Sequence, residues 1–321
     1  MDNYNKNELS GKITDKELAA FEATRARCEN HHCGYGLTIS KKENENKYIV
    51  FQCEYKSDEI IYEWDMDDIF NMSNEEFIDK MRSGSGLIPQ NHDESIYKFC
   101  KSVSDKCRIN GPLNIIRVNT SSGCNIKCKF CDIRSLKPVY PREKELYFNI
   151  LEKIRSTKPK LNYLQLTGDG EPFIYKEETL KYIESLTTDV CKILVIFSNC
   201  TLLDKDDIIR IYQAVTKAGI KCQIMCSCSG ITPETYEKNH GNNKFDKVVE
   251  NIKLINEYNL LQNVNFVITP DNLHELEFYK QFWHEKGVTR TSATVIHDYC
   301  WPGATKFVYD SAEYKRFIEN S

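Results

Sequence analysis

From Asn114 onward the chain alternates short apolar or β-branched runs with longer amphipathic ones, and this alternation sets the fold. The strand candidates are Asn114–Asn119, Tyr163–Thr167, Ile193–Phe197, Ile220–Cys226, Val264–Thr269 and Thr291–Ile296. Between them lie Glu143–Ser156, Glu177–Leu186, Asp206–Ala218, Phe245–Tyr258 and Leu273–Lys286. These carry apolar residues at i, i+3 and i+4 behind acidic or Asp/Ser/Thr/Pro starts, the pattern of core-facing helices. Gly219 and Gly287 stand after two of them as C-terminal stops. Repeated strand–helix alternation predicts an α/β fold, an open partial (β/α)6 TIM-like barrel over residues 111–300, with 301–321 as a C-terminal segment.

In parallel βα repeats the functional loops follow the C-terminal ends of the strands. The first predicted strand runs into SSGCNIKCKFC, in which Cys124, Cys128 and Cys131 have the spacing C-x3-C-x2-C. GDGEP follows the second strand, SNC the third and SCSG the fourth, so the unusual motifs share one rim. Three thiolates on one short loop can hold an iron–sulfur cube while leaving one iron open. A structural zinc or electron-transfer cluster would close its shell with a fourth ligand.

Composition narrows the setting. The chain has 321 residues, 40% hydrophobic and 28% charged, enough for one large core with or without a small appendage. A net charge of −4 gives no global pull toward nucleic acid. No stretch approaches the roughly 20 apolar residues of a membrane span, and MDNYNKNELSGK lacks the apolar segment of a secretory signal. Fourteen cysteines without an export signal point to reduced thiols in the cytoplasm, engaged in metal or redox work rather than disulfides.

CNIKCKFC after one strand and GDGEP after the next resemble the radical S-adenosylmethionine (SAM) superfamily. TYEKNHGNNKFDKVVENIKLI and VNFVITPDNLHELEFYKQFWHEKGV resemble its SPASM/twitch-associated branch. The resemblance implies that Cys124, Cys128 and Cys131 ligate a [4Fe–4S] cluster and that SAM occupies the open iron. It implies that Phe130 flanks the adenine and that the turn Gly168, Asp169, Gly170, Glu171 and Pro172 contacts the methionine amino group. Ser198 and Asn199 match a TNG-type segment in which Cys200 stands where glycine is usual. Ser227 would face the ribose or carboxylate of SAM, and Ser229 replaces the acid of an S-x-D-G strand end. His240 occupies the place of an arginine that pairs with the SAM carboxylate; on its residue type alone it reads as a solvated loop side chain. Reductive cleavage of SAM would yield methionine and a 5′-deoxyadenosyl radical, with the protein aiming the radical and excluding stray donors. The electron would come from a reductase or flavodoxin-type donor.

Cys226 and Cys228, at i and i+2, share a strand face. Were that face inward, a thiol could return hydrogen to a substrate radical; otherwise the pair packs as small hydrophobes. Residues 1–110 read as an N-terminal module plus linker. Within it Cys28, Cys33 and Cys53 frame a predicted hairpin, GYGLTIS–turn–YIVFQC, resembling an auxiliary-cluster knuckle placed ahead of the barrel. A second iron–sulfur cluster competes there with zinc, since His31 and His32 are adjacent. Cys100, Cys107 or Cys300 could complete the ligand set. His297, Asp298, Tyr299, Cys300 and Trp301 follow the last strand and either line the substrate pocket or close the barrel. The expected reaction is hydrogen abstraction from a ribosomally made peptide, ending in epimerisation, oxidation or crosslinking. The alternatives are a small biosynthetic molecule such as a sugar, nucleoside or amino acid, and a non-catalytic iron–sulfur sensor.

Overall fold

The computed structural model describes residues 36–41, 47–52, 60–85, 115–119, 123–131, 143–167, 170–296 and 301–319. Strands β1 (Gly36–Lys41), β2 (Lys47–Gln52) and β3 (Ile60–Asp65) come first, followed by helices α1 (Met66–Asn71) and α2 (Asn74–Ser85). Then β4 (Ile115–Asn119) opens the repeats: α3 (Glu143–Thr157), β5 (Leu161–Thr167), α4 (Lys176–Ser185), β6 (Cys191–Ser198), α5 (Lys205–Ala218) and β7 (Lys221–Ser227). Two helices, α6 (Pro233–His240) and α7 (Phe245–Glu257), lead to β8 (Leu261–Ile268), and α8 (Leu276–His284) to β9 (Thr291–Val295). Helices α9 (Ala304–Asp310) and α10 (Ala312–Glu319) follow.

Among the described residues the strands form one sheet in the order β3-β2-β1-β4-β5-β6-β7-β8-β9. The six strands from β4 to β9 run parallel, each beside its successor, as a partial TIM-like barrel requires. The hairpin expected from GYGLTIS and YIVFQC forms, with Leu37 opposite Gln52. It also extends the barrel sheet, because β1 pairs in parallel with β4, Leu37 lying against Ile116. Neither β3 nor this pairing was expected from sequence. Trp64, Ile69, Phe77 and Met81 carry the front strands and helices into the same core that holds Leu151 and Ile154 of α3.

The barrel helices form where their sequence signals predict. Asp204 and Asp207 close a reciprocal capping box at the start of α5, and Gly219 ends it at φ +69°. Ile208, Ile211 and Val215 lie on the buried face of that helix, and Val248, Ile252 and Ile255 do the same for α7. Each such side chain contributes about 1.5–3 kcal/mol by leaving water. Strand burial alternates accordingly. Leu164 and Leu166 of β5, Leu194 and Ile196 of β6, and Ile224 of β7 are sealed under the helices. The intervening residues, Gln165, Gln223 and Met225 among them, form a half-buried concave face.

Helix α6 positions the rim. Thr232 caps it, Pro233 begins it and Gly241 ends it in the left-handed region at φ +68°. Its last carbonyls accept from the cysteine loop, His240 O from Lys127 N–H at 3.2 Å and Asn239 O from Lys129 N–H at 2.9 Å. A Cβ on Gly241 would lie 2.8 Å from Lys127 O, whereas one on Gly287 (φ +76°) would meet nothing within 4 Å. Both substitutions carry the strain of a positive φ, and only one also pushes the loop away. Gly287→Ala is expected to cost about 1 kcal/mol and Gly241→Ala about 1–3 kcal/mol more. Urea denaturation of the two variants against wild type measures the difference.

Candidate active site

The loop bearing Cys124, Cys128 and Cys131 leaves β4 and is held from three sides. Its Gly123 carbonyl accepts from Glu171 N–H at 3.0 Å, and α6 takes the Lys127 and Lys129 amides. Asn125 Nδ2 donates to Thr201 Oγ1 at 2.6 Å, and Asn199 Nδ2 donates to Asn125 Oδ1 at 3.1 Å. The three thiols are half-buried and unbridged. Desolvation raises the Cys124 pKa, with the charges of Glu171 and Cys131 adding to it while the Ile126 amide and Asn199 oppose it. Cys128 is pushed up further, first by desolvation and then by its two neighbouring thiols.

Deprotonating Cys124 and Cys128 thus needs a positive counterpart, which an iron cluster supplies. No three His, Cys, Asp or Glu side chains among the described residues converge as a single ion requires. Separated thiols on one loop suit a cluster, in which each binds its own iron. The donor set fits a [4Fe–4S] group.

Gly168 and Asp169 of the second motif lie outside the described residues, as do Cys28, Cys33, Cys53, Cys100, Cys107, Cys300, His31, His32 and His297–Tyr299. Gly170 is half-exposed, while Glu171 is buried at 2% exposure and Pro172 opens a short 3-10 turn. Glu171 faces the protein rather than a ligand. Its Oε1 accepts from Ser198 Oγ at 2.8 Å and Phe173 N–H at 3.3 Å, and its Oε2 accepts from Asn199 N–H at 2.8 Å. It therefore clamps the β5 rim to the β6 rim. Asn199 extends the clamp toward Cys124, its Nδ2 lying 3.7 Å from the sulfur. Ser198 is buried in the same network, and Ser227 sits half-buried on the concave row. Cys200 takes φ +59°, the conformation for which glycine is favoured.

His240 corrects the reading of a solvated loop residue. It is the last residue of α6, with no exposed surface. Its Nε2 accepts from Ser229 N–H at 2.8 Å, its Nδ1 lies 3.2 Å from Cys128 Sγ, and burial lowers its pKa to about 3. Both ring nitrogens are engaged by the protein, so neither is presented to a carboxylate. Phe130 packs edge-on against this ring, centroids 5.2 Å apart at 88°.

Cys226 and Cys228 are likewise buried, with 0% exposure. Cys226 continues the helix-facing row of Cys222 and Ile224, and the Cys228 thiol donates to Gly230 O at 3.4 Å. Desolvation raises both thiol pKa values far above the usual range. The condition for a hydrogen-donating pair, an inward face, is therefore not met by the structure.

The concave face carries hydrogen-bonding groups that sequence reasoning had not assembled. Arg117 of β4 donates through Nε to Gln165 Oε1, and burial lowers its pKa. Asn263 Nδ2 donates to Ser292 Oγ, while Ser292 and Thr294 hydroxyls donate to Asn265 Oδ1 at 3.1 and 2.9 Å. Beside the cysteine loop, Lys127, Cys128, Lys129, Trp301 and Pro302 line a cavity of about 400 Å³, with Lys129 Nζ 5.9 Å from the Trp301 ring centre. A hollow of about 750 Å³ opens at the opposite end, by Lys221 and Leu261, far from every motif.

The sequence matches the family described as Radical SAM superfamily over residues 118–282, half the chain. The chain belongs to the radical SAM superfamily. It is therefore an enzyme that uses a [4Fe–4S] cluster and SAM. Two curated relatives, each named a probable GTP 3′,8-cyclase, come from Saccharolobus islandicus (strain Y.N.15.51 / Yellowstone #2) and Saccharolobus solfataricus (strain ATCC 35092 / DSM 1617 / JCM 11322 / P2). Each is 26% identical over 192 residues, covering 59% of this chain and 59% of the relative. Among solved structures, native anSMEcpe with bound AdoMet and the Cp18Cys peptide is similar at a TM-score of 0.44 and 18% identity, covering 57% of this chain and 51% of that one. The radical SAM methyltransferase TsrM from Kitasatospora setae, with cobalamin and a [4Fe–4S] cluster bound, gives a TM-score of 0.42 and 14% identity over 56% of this chain and 36% of its own. No described helix is long and apolar enough to cross a membrane.

The Glu171 clamp in this radical SAM enzyme yields a pH signature. Desolvation lifts its carboxyl pKa from 4.5 to about 7, against the three hydrogen bonds that lower it. The folded state holds this proton more tightly than the unfolded chain does. The stabilisation it gives is complete below pH 4.5 and is lost as pH rises through about 7. The stability of wild type relative to Glu171→Gln is expected to fall by on the order of 3 kcal/mol across that window. Paired anaerobic melts of the two cluster-free proteins from pH 4.5 to 8 measure it.

Proposed function

We propose that Cys124, Cys128 and Cys131 hold the cluster and that the protein removes hydrogen from a peptide lying on the concave face of the sheet. With SAM at the remaining iron, the cluster supplies the 5′-deoxyadenosyl radical. The observation that carries the ligand assignment is the clamped loop, whose three thiols share a rim with Glu171, Asn199 and Ser227. Phe130 stands beside Cys131 for the adenine. Carbonyls of the Gly170 turn remain for the amino group, since Glu171 is committed elsewhere.

Peptide amides match the carboxamides of Gln165, Gln223, Asn263 and Asn265, which offer donors and acceptors along neighbouring strands. A second reading, a small biosynthetic molecule with an anionic group, rests on the Arg117 guanidinium set among these amides. An external one-electron donor in a reducing compartment completes the system. In the N-terminal module, Cys28, Cys33 and Cys53 are proposed to hold a further cluster or zinc.

Anaerobic reconstitution tests the ligand assignment. About four irons are expected per chain for the barrel cluster alone and about eight with a second one. Replacing Cys124, Cys128 and Cys131 with alanine should remove about four irons and abolish 5′-deoxyadenosine formation from SAM under dithionite. Iron retained at wild-type level would overturn the assignment. Arg117→Gln should weaken an anionic small substrate by one to two orders of magnitude in KM and change a neutral peptide less.

A further inference from the structure

We infer that His240 is a positioning residue whose Nδ1–H donates a hydrogen bond to the sulfur of Cys128 and so raises the reduction potential of the cluster. The inference rests on the proposed reading of Cys128 as a cluster ligand.

Geometry fixes the tautomer. The backbone N–H of Ser229 points at His240 Nε2 from 2.8 Å, and a backbone amide can only donate. Nε2 must therefore present its lone pair, since a proton there would set two donors against each other at a ring with no exposed surface. The ring proton belongs on Nδ1, which faces Cys128 Sγ at 3.2 Å, within the distance of an N–H···S bond.

The ring cannot swing away from this contact. Tyr236 stacks on one face, centroids 4.4 Å apart and planes within 22°. Phe130 closes against it edge-on. The His240 carbonyl accepts from Lys127 N–H in the cysteine loop, one residue before Cys128. Ring and loop are thus held to each other by backbone and side chain together. The arrangement parallels a metal-bound histidine and its outer carboxylate, with the roles reversed: here the histidine supports and the sulfur binds.

A hydrogen bond to a ligating sulfur stabilises the added negative charge when the cluster takes up an electron. The electron comes from the reductant, no proton moves, and no bond is made or broken. Full burial of His240 also keeps water from that side of the sulfur. Asn199, at 3.7 Å from Cys124, is a longer contact of the same kind.

Two substitutions separate the sulfur contact from the packing. In His240→Asn the amide nitrogen can occupy the place of Nδ1, keeping a donor toward Cys128. In His240→Gln the amide group reaches the place of Nε2, keeping the Ser229 contact and losing the sulfur. Redox titrations followed by EPR, on proteins with equal iron and sulfide, should show His240→Gln harder to reduce. A tenfold change in the reduction equilibrium, about 59 mV for one electron, is expected, with His240→Asn closer to wild type. Unchanged potentials, or equal shifts in both variants, would overturn the inference. Should neither variant hold iron, wild type labelled with 15N-histidine gives the answer: a hyperfine coupling to one imidazole nitrogen supports the hydrogen bond, and its absence refutes it. Loss of the underlying reading looks different, since Cys128→Ala would then keep all its iron.

Discussion

The rim depends on a helix end gripping a loop. The last carbonyls of α6 lie past the end of its own hydrogen-bond ladder, and those of Asn239 and His240 accept from the Lys129 and Lys127 amides of the cysteine loop. Each set satisfies the other, which is the least costly way to bury both. Gly241 makes the approach possible because no side chain stands between the helix stop and the Lys127 carbonyl. The position of the three thiols follows from this contact. A loop with three half-buried cysteines and no regular structure could otherwise take many conformations, at an entropic cost of about 1–2 kcal/mol for each residue ordered.

A second bracket joins the ends of β5 and β6 to the loop. Glu171 draws donors from β6 and from its own turn, and Asn199 passes the connection to Asn125 and Thr201. Asn251 of α7 reaches in from behind to satisfy the Cys200 and Leu203 carbonyls. Each link is a buried polar group with its partners in place, so removing one strands the others. The apolar core below supplies the bulk of the stability, and this polar lattice sets the geometry above it. The two layers divide the sequence accordingly, with Leu and Ile on the helix-facing strand rows and Glu171, Ser198, Asn199 and Thr201 buried at the rim.

The barrel was legible because period and punctuation agreed along it. Asp204 and Gly219 bracket α5 in sequence as they do in space. The cysteine loop was legible because its spacing is itself chemical information. Helix α6 was harder to see, although Thr232–Pro233 and Gly241 are start and stop signals, since eight residues between them show little apolar periodicity. With the helix unread, His240 looked like a surface residue. The rows of Cys226 and of Arg117 needed three dimensions, because alternation states which residues share a face and leaves open which face is inside. The pairing of β1 with β4 joins residues far apart in the chain and has no local signature.

Where the cysteines ended up bears on the chemistry. Cys191, Cys200, Cys222, Cys226 and Cys228 are all buried in the core, and Cys222 and Cys226 lie on the helix-facing row of β7. An S–H bond is weaker than the C–H bonds a primary carbon radical attacks, so a thiol on the concave face would intercept that radical before the substrate did. Among the described residues, the inward rows carry Gln165, Gln223, Asn263, Asn265, Ser292 and Thr294 together with Tyr163 and Met225, and neither Cys222 nor Cys226. A redox-neutral outcome that returns hydrogen from a protein thiol is not served by Cys222 or Cys226, which face the helices. A net oxidation needs no such donor on the concave face.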